Sequence, residues 1–245
     1  MAELPWLPET LRNKVLSASN AASEALREDL CAVCLIGASA GPNRNFRGNS
    51  VELLIVAREL PEATLDVLGA ELGPLLRDGL QIRMVTQLEL EGSTDVLALE
   101  LAEWRARNVV LAGEDPFSEL TIAPDDLRHE LERALRTLAH RLRNRLLWCL
   151  ATHQRHLDPM LRDALERLTM VGYHTLELLG QPLPLGEGQA LARFADWAGV
   201  SAEGLDALRE RLTHNGQATD PIAELRALAS VTNAACARID TLNDD

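Results

Sequence analysis

Two short runs on either side of a polar loop decide the fold: Leu30-Cys-Ala-Val-Cys-Leu-Ile-Gly37, and Asn49-Ser-Val-Glu-Leu-Leu-Ile-Val-Ala57. Each is almost continuously apolar over a length that suits a strand better than a helix. A strand covered on both faces reads this way, because neither of its alternating sides meets water. The segment between them, Ala38-Ser-Ala-Gly-Pro-Asn-Arg-Asn-Phe-Arg-Gly-Asn-Ser50, has the glycine, proline and asparagine content of a loop.

Working outward, residues 8–29 carry Leu11, Val15, Ala18, Ala22 and Leu26 at helical spacing. Pro61 opens a second helix bearing Leu65, Leu68, Leu72 and Leu76. Leu80-Gln-Ile-Arg-Met-Val-Thr86 alternates as a third strand, and Val109–Leu111 is a short fourth that stops at Gly113. Val96–Trp104 fits either strand or helix. From Pro124 onward the chain reads as helix: Leu127, Leu131, Leu135, Leu138, Leu142 and Leu146 line one face of a long first one, with Asp125 and Asp126 at its start. Further helices are expected at about 159–179, 188–198, 202–213 and 221–241. The fold expected is α+β: a small mixed β-sheet with flanking helices over residues 1–123, then an all-α helical bundle over 124–245.

Composition narrows the function classes. The 245 residues are 47% hydrophobic and 25% charged, which excludes a wholly disordered chain. A net charge of −13 argues against broad nucleic-acid binding, which depends on Lys and Arg neutralising phosphates. No apolar run approaches the ~20 residues of a membrane helix, and the first residues, Met-Ala-Glu-Leu-Pro-Trp6, lack signal-peptide features. A cytoplasmic protein with no membrane partner is expected. Cys31 and Cys34 form a C-x-x-C inside an apolar run without a second pair, and read as reduced strand cysteines, as Cys149 and Cys236 read as reduced.

The strand ending Leu35-Ile-Gly-Ala-Ser39, the polar loop, and a second strand opening Asn49-Ser-Val-Glu52 together resemble the polymerase-β-type nucleotidyltransferase superfamily. Leu97-Ala-Leu-Glu-Leu-Ala-Glu-Trp-Arg-Ala-Arg-Asn-Val-Val-Leu-Ala-Gly-Glu-Asp-Pro-Phe117, with its Gly-Glu-Asp-Pro and the Leu/Arg-rich helix after it, is similar to a segment of the bacterial nucleotidyltransferase-like subgroup with a C-terminal helical domain. The resemblance implies a Gly-Ser turn that holds a triphosphate through backbone N–H groups. It also implies two carboxylates at i and i+2 on one strand face, and a third from a later strand, that bind Mg²⁺.

In this chain the Gly-Ser turn reads Gly37-Ala38 followed by Ser39, the two carboxylate positions read Ser50 and Glu52, and the third strand holds Gln81 and Arg83 with no acid. One glutamate beside a serine is a poor two-metal site. Glu89, Glu91 and Asp95 remain as acids that a following loop would have to bring in. The resemblance therefore implies a nucleotidyltransferase fold that is catalytically degenerate, a pseudoenzyme serving in nucleotide sensing or protein interaction. The alternative is an active Mg²⁺-dependent enzyme moving a nucleoside monophosphate onto a small molecule or protein, with Glu52 catalytic and Mg²⁺ plus a nucleoside triphosphate as cofactors.

Nucleotide contacts are expected from Gly37, Ala38, Ser39, Ser50 and Arg44, and from Arg136 and Arg143 on the long helix if that face meets a nucleotide. Each has a plainer reading: Gly37 and Gly41 as a tight loop with positive φ, Glu52 as a carboxylate at a solvated strand edge, and Arg44 and Arg47 as solvated. The helix arginines are equally readable as a face salt-bridged to Glu130 and Glu132. Arg167 and His174 share the spacing of HEPN ribonucleases, but Leu168 and the amphipathic pattern make that coincidental. A protein partner or a second copy meeting the helical domain is the remaining partner class.

Overall fold

The computed structural model describes residues 4–41, 51–153, 156–182, 186–214, 216–218 and 220–243. The chain separates into two compact units, Met1–Ala123 and Pro124–Asp245.

The first unit is built on four strands, β1 (Leu30–Ile36), β2 (Val51–Ala57), β3 (Leu80–Thr86) and β4 (Asn108–Gly113), in the order β3-β2-β1-β4. β1 runs antiparallel to both β2 and β4, while β2 and β3 are parallel. The sheet is therefore small and mixed, as expected. Helices α1 (Glu9–Leu26) and α2 (Glu62–Arg77) cover one face. There Val15, Ala18, Leu26, Leu68 and Leu72 pack on Val33, Leu35, Leu53 and Ile55. The other strand face, Ala32, Cys34, Ile36, Leu54 and Val56, packs on Leu90 of α3 (Gln87–Gly92), on Leu101 and Trp104 of α4 (Ala98–Ala106), and on Phe117. Covering on both sides is the reason β1 and β2 have no polar alternation at their centres.

Three local expectations change. Val96–Trp104, open between strand and helix, is mostly the helix α4. Leu65 and Leu76 do not join the core face of α2; both are 43% exposed, and Leu68 and Leu72 carry the packing. Residues 87–92, expected as loop, form α3, started by a capping box in which Thr86 accepts from the Glu89 N–H and Glu89 returns a bond to the Thr86 N–H.

The Gly-Glu-Asp-Pro turn ends β4. Gly113 has φ +78°, and a Cβ there would lie 2.0 Å from the Cys31 carbonyl oxygen, so no larger residue fits. Asp115 then accepts from the Phe117 N–H at 2.9 Å, which turns the Phe117 ring into the second core cluster.

The second unit consists of α5 (Pro124–Thr152), α6 (Asp158–Leu178), α7 (Glu187–Ala198), α8 (Glu203–Thr213) and α9 (Pro221–Ile239). α5 packs against both α6 and α9, and α6 against α7. Gly172 of α6 lets the Phe194 ring of α7 approach; a Cβ there would meet it at 2.9 Å. The buried hydroxyls of Thr169, Thr175 and Thr232 donate to carbonyls one turn back, so the bundle core holds them without unpaired groups. Arg211 joins three segments, donating to Glu224 at 2.6 and 2.8 Å, to Asp158 at 2.9 Å and to the Gly216 carbonyl at 2.9 Å. Among the described residues no helix is long and apolar enough to cross a membrane.

Candidate functional site

Glu52 is the second residue of β2 and stands opposite Ile36, the last residue of β1. The next residue, Gly37, has φ +63°, and a Cβ on it would lie 3.8 Å from Glu52 Oε2. The turn and the acid that the sequence pairs are thus adjacent, at one end of the two central strands. β2 has a neighbour on each side, so Glu52 is not at a strand edge; the carboxylate is half-buried on an inner strand.

The turn serves the fold. The Gly37 N–H donates to the Arg107 carbonyl at 3.1 Å, and the Ala40 N–H to the Gly37 carbonyl at 3.1 Å. Ser39 is 2% exposed; its hydroxyl donates to the Ile36 carbonyl at 3.0 Å, and its carbonyl accepts from Trp6 Nε1 at 3.0 Å. Ala38 lies in the same one-turn 3₁₀ segment. Gly41, unlike Gly37, is not among the positive-φ glycines. Arg44, Arg47 and Ser50 lie outside the described residues.

Glu52 has a partner that the sequence reading does not assign. In the parallel β2–β3 pair Glu52 aligns with Gln81 and Leu54 with Arg83, and alternation puts residues 52, 54, 81 and 83 on the α4 side. Arg83 reaches back along the strand and donates from Nε to Glu52 Oε1. Its guanidinium lies over the Trp104 ring of α4, 5.5 Å from the centroid. The bonded Glu52 carboxylate, with Glu100 of α4 adding to it, raises Arg83 above the ordinary guanidinium value, so the cation is permanent. Next to this cluster Arg107 pairs with Glu103 at 3.0 Å.

These donors do not fit a two-metal site. The one acid of the motif in the described chain is bound to an arginine, and the neighbouring strand β3 offers that cation and no carboxylate. No group of three or more His, Cys, Asp or Glu among the described residues is placed to hold a metal ion. Glu89 and Glu91 are no substitutes: they belong to α3, beyond the far end of β3, and Gln87 lies six residue steps along the strand from Gln81, about 20 Å.

A separate opening in this unit lies away from Glu52. A cavity of about 690 Å³ lies among Cys31, Arg58, Gln87, Glu91, Glu114 and Asp115, at the opposite end of β2 from Glu52. Cys34 lies behind it in the core, where burial first and then Asp115 push its thiol up to about 12. All four cysteines are free thiols.

The remaining site expectations fall in the helical unit. Arg136 donates to Glu132 at 2.8 Å and to Asp240 at 2.7 Å, and Arg133 pairs with Glu130. Arg143 is exposed on the same helix; burial raises the Cys236 thiol of α9, and the charges of Arg136 and Arg143 act against that rise. Arg167 is an exposed partner of Asp163, whereas His174 is fully buried and bonded to Glu177 at 2.8 Å, so the two do not form a surface site together.

No family model matches the chain, and no curated protein sequence matches it. Among solved structures it is similar to spectinomycin adenyltransferase AAD(9) from Enterococcus faecialis, solved with ATP and spectinomycin. The TM-score is 0.60 at 15% identity, over 94% of this chain and 99% of that one. At that identity the likeness is one of fold: the chain has a nucleotidyltransferase fold.

Proposed function

We propose that this protein binds a nucleotide at the Gly37–Glu52 end of its sheet without transferring it, and so works as a nucleotide-sensing or protein-interaction module. The observation that carries this reading is the Glu52–Arg83 pair. A transferase of this fold needs carboxylates that gather divalent cations around the triphosphate. Here the surviving acid is neutralised by a side chain from the adjacent strand. The similarity in fold to a protein solved with ATP supports a nucleotide as the ligand.

The test is calorimetric titration with each of the four ribonucleoside triphosphates, alongside an assay for transfer of labelled nucleotide to small molecules or protein. Binding without transfer is expected. Transfer that requires Mg²⁺ would establish the alternative, an active transferase moving a nucleoside monophosphate. Absence of binding at millimolar nucleotide would leave protein interaction, and a hetero-complex recovered from the source cell would then be the expected finding.

A further inference from the structure

We infer that Arg83 stands in for a protein-bound divalent cation: the site takes the phosphate of a nucleotide on a guanidinium, and its affinity is indifferent to Mg²⁺. This rests on the nucleotide-binding reading above and specifies how the phosphate is held.

Glu52 lies against the Gly37 turn, and a bare carboxylate there would repel any phosphate brought to the turn. Arg83 removes that repulsion by pairing with Oε1. The pairing uses Nε, and Glu52 is the guanidinium's one hydrogen-bond partner among the described residues. A guanidinium has five N–H donors, so the four on its Nη groups remain for a ligand. They form a planar fork suited to two phosphate oxygens, which a lysine ammonium cannot reproduce. Trp104 backs the guanidinium and limits how it can turn. The side chain is 49% exposed, so a ligand can reach it without rearranging the core. Glu100 is the opposing charge; it is exposed on α4, where water screens it.

In a metal-dependent site the carboxylates attract the cation and the cation attracts the phosphate. In this arrangement the protein's own cation occupies the middle position, and an added metal ion has no acid left to bind.

The experiment is titration of the full chain with ATP, once in excess EDTA and once in excess Mg²⁺, repeated on Arg83→Met, Arg83→Lys and Glu52→Gln. Circular dichroism on each variant checks folding. The wild-type affinities in EDTA and Mg²⁺ should agree within about threefold. Arg83→Met should lose tenfold or more, Arg83→Lys should recover part of that loss, and Glu52→Gln should bind more tightly because the competing acceptor is gone. ATP that binds only with Mg²⁺, or binds Arg83→Met as well as wild type, overturns the role of Arg83 and leaves nucleotide binding standing. No ATP binding in either buffer overturns the nucleotide reading itself and this inference with it.

Discussion

Arg83 aligns with Leu54 on the neighbouring strand, yet its side chain turns back two residue pairs to bond the carboxylate of Glu52. The contact crosses a parallel strand pair diagonally, on the face where α4 supplies Trp104 as a backing. It joins the innermost acid of the sheet to the strand at the sheet's edge.

Because both groups are partly solvated, their coupling is modest. A double-mutant cycle of Glu52→Gln and Arg83→Met, read by urea denaturation, should give an interaction energy of about 0.5–1 kcal/mol. A coupling near zero would mean the pair does not persist in solution.

Two positive-φ glycines should respond differently to alanine. At Gly113 a Cβ would strike the Cys31 carbonyl, so Gly113→Ala combines backbone strain with a clash and should cost about 3 kcal/mol or more. At Gly180, with φ +64° and nothing near the Cβ position, Gly180→Ala should cost only about 1–2 kcal/mol. Equal melting temperatures for the two variants would contradict the steric account.

Arg211 ties α8 to the first turns of α6 and α9 while being largely buried. Arg211→Lys keeps the charge but cannot span Glu224, Asp158 and the Gly216 carbonyl together. Arg211→Met leaves two carboxylates without their cation and should destabilise by about 3 kcal/mol. The lysine variant should fall between it and wild type in thermal denaturation.

The Cys34 thiol makes stability depend on alkaline pH. Its folded value is raised, so the unfolded chain gives up the proton first. The native state then holds more protons between the ordinary thiol value and about 12, and stability falls as pH rises through that window. Each pH unit there costs at most about 1.4 kcal/mol. Below pH 8 the contribution is fully present and flat. Denaturation midpoints measured from pH 8 to 11 should decline less steeply in Cys34→Ala, and alkylation of Cys34 in the native protein at pH 8 should be slow.

Burial explains which parts of this structure were legible from the sequence. β1 and β2 showed because both faces of each are covered, which leaves a continuous apolar run that few other elements produce. α4 was ambiguous for the opposite reason. Ala98, Leu99, Leu101, Ala102 and Trp104 are buried around most of its circumference, so no polar stripe marks its period. α3 is six residues long and presents Leu88 to solvent, and its visible sign was the cap formed by Thr86 and Glu89. At the site, Glu52 and Gly37 were found because they are close in a short motif. Arg83 was noticed only as a missing acid. Its pairing depends on the parallel register of β2 and β3, which no local pattern encodes.

β3 has a single neighbour in the sheet, and along it Gln81 and Arg83 face solvent while Leu80 is buried. The side chain that sets the charge of the Glu52 environment is therefore outside the packed interior. Exchanging it changes what the site can attract at a cost in fold stability of about 1 kcal/mol. Electrostatic character and architecture thus rest on different residues here: the charge at this end of the sheet sits on a solvent-facing side chain, and the sheet beneath it is held by the apolar residues of β1 and β2.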